Sequence, residues 1–351
     1  MTRCQAKSRT GDCPCRPTPS LSGGAIVGEY EVCSRRWGLS NSILNVINER
    51  GVIAGHAADS PRRRGLPYDV IFFDLYGTLV DIRTDEESAA AWGALRAALA
   101  EYEVPCPDNA SLRARFETLA EPIRAAAFAA HGAHAEPDLL PVFAGLMGCR
   151  DAALADLSSR ADAVLARFRE CDDVICRDSQ AAAQTSLEGN AAVRESRMDM
   201  ARALAWTFRQ ASTSMLRLYP GALELLARLR SVGLRVVLVS NAQSCYTRPE
   251  LAMLGLEYAF DRIVISSEIG VRKPSPAIFR RAAQAEGVAP CRVLMVGNDE
   301  RSDIMGAAGA GIDGVYMRTE ISPPGDPQTS QHAVRSLTGP DYAGLLGYLN
   351  I

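Results

Sequence analysis

Histidine is scarce in this chain. There are four in 351 residues, His56, His131, His134 and His332. All lie outside the strand ends described below, which weighs against Ser-His or Cys-His nucleophile pairs and a His-ligated zinc site. His131 and His134 fall in a Gly/Ala-rich stretch that reads as a solvated loop. An excess of charge of one sign is also missing. Thirty-eight Lys and Arg against 41 Asp and Glu leave a net charge of −3. Nucleic-acid binding needs a basic stripe, and Arg62-Arg63-Arg64 is the one basic cluster. No apolar run approaches the ~18 residues that would span a bilayer. Met1-Thr2-Arg3-Cys4-Gln5 lacks the apolar core of a signal peptide. The expectation is a cytoplasmic protein with neither nucleic acid nor membrane as partner.

Cysteine is present, ten in all, four of them (Cys4, Cys13, Cys15, Cys33) within the first 33 residues. Cys13-Pro14-Cys15 lacks the two-residue spacing of a zinc knuckle, and no histidine lies nearby. Reduced, unpaired thiols are expected.

The informative stretch is Val70-Ile71-Phe72-Phe73-Asp74-Leu75-Tyr76-Gly77-Thr78. A continuous apolar run is how a parallel strand covered on both faces reads. In an open α/β sheet, ligands sit just outside the carboxyl ends of such strands. Asp74 is therefore a carboxylate delivered to where that architecture does chemistry, and Gly77 allows a sharp turn there.

Three further segments end apolar runs with polar groups. Val236-Val237-Leu238-Val239 leads to Ser240 and Asn241. Arg262-Ile263-Val264-Ile265-Ser266 precedes Lys273-Pro274. Val293-Leu294-Met295-Val296-Gly297 leads to Asn298 and Asp299, with Asp303 four residues on. A nucleophilic carboxylate, a neutral donor, a cation and an acidic pair suit attack on an anionic electrophile. Two close carboxylates would repel each other and the substrate, so a divalent ion is the natural charge partner. Mg²⁺ takes oxygen ligands, commonly one or two carboxylates plus substrate oxygens.

These motifs, in this order over residues 67 to 318, resemble the haloacid dehalogenase superfamily of hydrolases. The resemblance implies Asp74 as nucleophile through an aspartyl intermediate. It implies Ser240 and Lys273 on the substrate's anionic group, with Thr78 bonded to the nucleophile loop. Asp299 and Asp303, with Asp74 and the Tyr76 backbone carbonyl, would hold Mg²⁺. Asn241, Asn298 and Arg83 join the expected substrate contacts. An alternative register puts Asn298 at the first acidic position of the last motif.

Tyr76 departs from the phosphatase pattern, which has an aspartate there to protonate the leaving alcohol. Tyrosine, with an ordinary pKa near 10, is a poor replacement. In dehalogenases the tyrosine is tolerated because a halide leaves without a proton. The Asn298, Asp299 and Asp303 group points the other way, toward a metal site. Phe279 stands where dehalogenases tend to carry tyrosine.

Residues 1 to 66 carry no trustworthy periodicity and read as a disordered extension. Residues 67–84 and 217–318 form the expected core, with strands at 68–74, 235–240, 262–266, 292–297 and 314–317. Helices are expected at 220–232, 275–287 and 302–310. Alternation of strands and helices implies a doubly wound, parallel α/β sheet, the Rossmann-like core of the superfamily. Residues 85–216 are rich in Ala, Leu, Glu and Arg. They predict helices at 87–102, 111–130, 151–171 and 191–216, with Asp85 as first N-cap and a loop over 172–190. Such an insertion resembles the superfamily's helical cap. Residues 319–351 predict a segment ending in a short helix at 341–349.

Three readings follow. The first is a Mg²⁺-dependent phosphatase for a small phosphorylated metabolite with a good leaving group. The second is a metal-independent 2-haloacid dehalogenase. The third is a non-catalytic protein that binds an anion on the same scaffold.

Overall fold

Val70–Phe73 forms β1, and every residue in it is fully buried. In this computed structural model, which describes residues 67–148 and 184–351, β1 lies between two strands that continue its apolar character. They are β4 (Arg235–Ser240) and β6 (Val293–Gly297). Val70 pairs in parallel with Arg235 on one side and Val293 on the other. With β5 (Arg262–Ile265), β7 (Asp313–Arg318) and β8 (Arg335–Thr338), the sheet runs β5-β4-β1-β6-β7-β8. All its pairings are parallel.

Alternate side chains of the same strands enter two separate cores. Ile71, Phe73, Leu238 and Val296 pack with Leu226 of α5 (Ala222–Ser231) and Leu345 of α8 (Tyr342–Tyr348). Val70, Phe72, Val237 and Met295 pack with Ile278 and Phe279 of α7 (Pro276–Ala285). Coverage of both faces explains why the strands read as unbroken apolar runs. Strand order grows one way from β1 through β4 to β5, then the other through β6, β7 and β8. The reversal falls between β1 and β6, at whose carboxyl ends a ligand site belongs in such a sheet.

The chain leaves the sheet through β2 (Val80–Thr84) and returns through β3 (Thr213–Leu218), which pair antiparallel. Between them lie α1 (Ala89–Glu101), α2 (Asn109–His131), α3 (Leu140–Leu146) and α4 (Gln184–Ser212). Trp92, Phe116, Phe143 and Phe208, one from each helix, stack edge-on at 5.1 to 5.6 Å in three pairs. Tyr246, on core helix α6 (Ser244–Met253), is buried in the same cluster.

Several expected boundaries move. The helix expected over 191–216 begins at Gln184 and stops at Ser212, so the loop expected over 172–190 is helical from 184. Ser212 Oγ and Thr213 Oγ1 both donate to the Arg209 carbonyl, at 2.9 and 2.7 Å, and end the helix. Residues 213–218 then become a strand. The N-cap of α1 is Ser88, which accepts from the Ala91 N–H, not Asp85, whose carboxylate accepts from the Glu87 N–H instead. Residues 319–351 contribute a strand, β8, besides the expected helix. The expectations for residues 1–66 and for a helix at 151–171 lie outside the described residues.

Candidate active site

Asp74 continues β1 by one residue, its N–H donating to the Val296 carbonyl at 3.0 Å. It is 8% exposed. Its Oδ1 lies 2.6 Å from Lys273 Nζ, and the same ammonium lies 2.7 Å from Asp303 and donates to the Val239 carbonyl at 2.8 Å. One cation thus sits between two carboxylates, all three nearly removed from water. Burial alone would lower the Lys273 pKa, but Asp303 and Asp74 outweigh it and hold the group charged, above its ordinary value. Burial lifts Asp303 above the usual carboxylate range; Lys273 pulls it back and Asp74 pushes it up again.

Each partner reaches this point for a local reason. The Asn241 side chain brackets the backbone of Lys273: Oδ1 accepts from its N–H at 2.8 Å and Nδ2 donates to its carbonyl at 3.0 Å. The amide expected to contact substrate is thereby spent on aiming the lysine. Asp303 fits because residue 297 is glycine; a Cβ there would stand 2.2 Å from its carboxylate. Ser240 is fully buried, and its Oγ has no hydrogen-bond partner among the described residues.

The last motif differs from the expectation. The Asp299 carboxylate serves as a helix cap: Oδ1 accepts from the Ser302 N–H at 2.6 Å at the start of the π-helical segment Glu300–Met305. Asn298 occupies the expected ligand place instead. With its amide nitrogen turned inward it donates to the Tyr76 carbonyl at 3.0 Å, and to Asp74 Oδ2 and Thr78 Oγ1 at 3.3 Å each. Its side chain fills the space a Cβ on Gly77 would need, and Gly77 has a φ of 89°, which favours glycine. Thr78 Oγ1 also reaches Asp74 Oδ2, at 3.5 Å. Among the described residues no three His, Cys, Asp or Glu side chains gather to hold a metal ion.

Tyr76 points its hydroxyl away from Asp74. It bonds Glu250 and, at 3.0 Å, Thr247, both on α6. Glu250 accepts from Arg209 Nε of α4 at 2.6 Å, and Arg209 also meets Glu86 at 3.0 Å. The guanidinium lies over the Tyr76 and Tyr246 rings, at 5.9 and 5.2 Å. Burial, then the Glu250 charge, pushes the Tyr76 hydroxyl well above its ordinary pKa. Glu250, Thr247 and Arg209 escape sequence reading because their only signal is this contact across the fold.

Arg83 is exposed on β2, where its carbonyl accepts from Ser214 Oγ, and its side chain joins no described part of the cluster. Its neighbour Asp81 is the buried partner of Arg217 across the ribbon, at 2.8 Å. Phe279 is core packing. The loop with His131 and His134 is half-buried rather than solvated. It runs along residues 270–272, with the Arg272 N–H donating to the His134 carbonyl and the Glu136 N–H to the Gly270 carbonyl.

A sheet reversal carrying Asp74, Ser240, Lys273 and Asp303 at adjacent strand ends defines a class, a hydrolase site built around an aspartate. Residues 68–311 match the haloacid dehalogenase-like hydrolase family, and the chain belongs to it. The glyceraldehyde 3-phosphate phosphatase of Methanothermobacter thermautotrophicus is 34% identical over 116 residues, 33% of this chain and 51% of that protein. The phosphoserine phosphatase of Thermus thermophilus is 39% identical over 113 residues, 32% of this chain and 45% of that protein. The chain spans about half the length of these curated relatives. A solved 2-haloacid dehalogenase from Pseudomonas syringae pv. Tomato DC3000 superposes with a TM-score of 0.48 at 19% identity, over 81% of this chain and 98% of that one.

Proposed function

We propose that this hydrolase is a phosphatase for a small phosphorylated metabolite whose leaving group departs without a proton, such as an acyl or aryl phosphate. Relatives named as phosphatases support the phosphoryl reaction, and the Tyr76 hydroxyl, bound to Glu250 and Thr247, carries the choice of leaving group. That hydroxyl donates to the Glu250 carboxylate and not to a leaving alkoxide.

In this reading an Asp74 oxygen attacks phosphorus in line. The bond to the leaving oxygen breaks and that group departs with the electron pair. Water then attacks the aspartyl phosphate, releasing phosphate and restoring the carboxylate. Lys273 pairs with Asp74 and faces the incoming negative charge. The unpartnered Ser240 Oγ donates to a phosphoryl oxygen, and Asn241 holds the lysine loop in place. The helices between β2 and β3 act as a cap that excludes water.

Mg²⁺ fits the oxygens present. The Asn298 amide nitrogen already bridges the Tyr76 carbonyl and Asp74 Oδ2, where a hard cation would find one carboxylate and one carbonyl. With the amide turned over, Oδ1 becomes a third oxygen. Asn298 therefore replaces Asp299 in the ligand set, and Asp303 serves Lys273. When bound, the ion supplies positive charge beside the transferring phosphoryl group.

A 2-haloacid dehalogenase is the second reading, favoured by Tyr76 and by an amide in place of an acid at 298. The test follows phosphate release from acyl, aryl and alkyl phosphates and halide release from 2-chloropropionate, each with Mg²⁺ or with EDTA. Mg²⁺-dependent phosphate release lost in Asp74→Asn is the expected result. EDTA-resistant halide release would replace it with the dehalogenase. No turnover with any of them would favour a non-catalytic anion binder.

A further inference from the structure

Three consecutive carbonyl groups, those of Tyr76, Gly77 and Thr78, each accept from a side chain on a different part of the chain. Asn298, after β6, donates to the first. Thr319 Oγ1, after β7, donates to the Gly77 carbonyl at 2.8 Å. The Tyr342 hydroxyl, in the first turn of α8, donates to the Thr78 carbonyl at 2.8 Å. The turn's own N–H groups are spent elsewhere: those of Thr78, Leu79 and Val80 on the Leu75 carbonyl, and that of Gly77 on the Val80 carbonyl. The 77–78 and 78–79 peptide planes are thus held at their N–H ends by the Leu75 carbonyl and at their carbonyl ends by two side chains.

Both side chains are built for this. Thr319 is 5% exposed and Tyr342 7%. The Thr319 N–H donates to Ser322 Oγ at 3.0 Å, and Asp341 caps the helix that carries Tyr342. Both lie beyond residue 311, where the family match ends.

We infer that Thr319 and Tyr342 are positioning residues for the nucleophile. They anchor the carbonyl ends of the peptide planes on either side of Thr78, whose Oγ1 faces Asp74 Oδ2. A turn containing glycine at positive φ has more freedom to lose than others. Misplacement of a reacting group by about 1 Å costs up to about 100-fold in rate. The inference rests on Asp74 being the nucleophile of the phosphatase proposed above.

The test compares full-length Thr319→Val, Thr319→Ser and Tyr342→Phe with the parent, using acetyl phosphate and p-nitrophenyl phosphate. Loss of one hydrogen bond should lower kcat about 5- to 10-fold in Thr319→Val and in Tyr342→Phe. KM should stay within about twofold, and Thr319→Ser should restore kcat. Amide hydrogen exchange should speed up over residues 74–80 and stay unchanged in β4 and β6. Unchanged exchange at 74–80, or a uniform rise across the sheet, would overturn the inference. If the parent turns over neither compound, the phosphatase reading fails, and the exchange comparison alone decides whether these residues hold the turn.

Discussion

Tyr76 is the residue on which the chemistry turns. Its hydroxyl is locked in a buried chain with Glu250, Thr247 and Arg209, so proton transfer at the leaving group has no donor at this position. Tyr76→Asp should raise kcat/KM on alkyl phosphates by at least about 10-fold, the low end of a general-acid contribution. Acyl phosphates, which need no such donor, should gain little. Steady-state rates on both substrate classes check this, and an alkyl rate no higher than that of the parent would show that the missing acid is not what limits it. The identity of residue 76 was legible in the sequence. Its orientation was not, because partners more than 130 residues away decide it. Asp74, Ser240, Lys273 and Asp303 were legible by type and place, each following a strand's apolar run. Thr319 closes the β7 run in the same way and could have been found by that signal. Asp299 misled because a carboxylate at a helix start serves equally as a cap.

Among the elements, the buried strands were the easiest to read and the half-exposed ones the hardest. β1, β4 and β6 are apolar throughout or nearly so, since helices cover both their faces. β2 and β3 mix Asp, Arg, Thr and Ser with apolar residues, and they pair as a ribbon outside the main sheet. Residues 213–216 therefore pass for the tail of a helix. β8 is a four-residue edge strand, Arg-Ser-Leu-Thr, whose place depends on β7. Helix ends contribute to sheet stability as well. Glu286, at the C-cap of α7, accepts from Arg235 Nε at the start of β4, and from Arg262 Nε at the start of β5 at 2.5 Å. Burial would raise the Glu286 carboxyl, but the two guanidinium bonds outweigh it and hold the carboxyl below its ordinary value. A depressed acid stabilises the fold above its unfolded pKa, near 4.3 for Glu, and loses that contribution as pH falls through the folded value. Glu286→Gln should cost about 1 kcal/mol at pH 7, the modest figure reflecting two arginines partly in water. In Tm this is about 2–4 °C. The deficit should shrink as pH drops below about 4; thermal melts at both pH values showing an equal gap would contradict this account.

For the whole molecule, the α/β class and the parallel sheet followed from alternating strands and helices, while the helices between β2 and β3 followed from composition. How the insertion meets the core did not. It is fastened by the Arg209–Glu250 pair and by Tyr246 buried among Trp92, Phe143 and Phe208. No helix of the described residues is long and apolar enough to cross a membrane. The Asn298 amide has a consequence for the molecule at large. A second carboxylate at that position would face Asp74 Oδ2 and the Tyr76 carbonyl with like charge, and the empty site would strain the fold until an ion arrived. A neutral amide donates to both oxygens instead and adds no further like charge to the cluster. The expectation is that folding does not depend on ion supply. Chelation should leave Tm unchanged to within about 1 °C, in contrast to proteins whose metal affinity is part of their folding free energy. A melt in EDTA that falls by several degrees would mean the site depends on its ion after all. If the proposed Mg²⁺ dependence holds, a chain so arranged would keep its fold in ion-poor conditions, with ion concentration setting its activity and not its abundance.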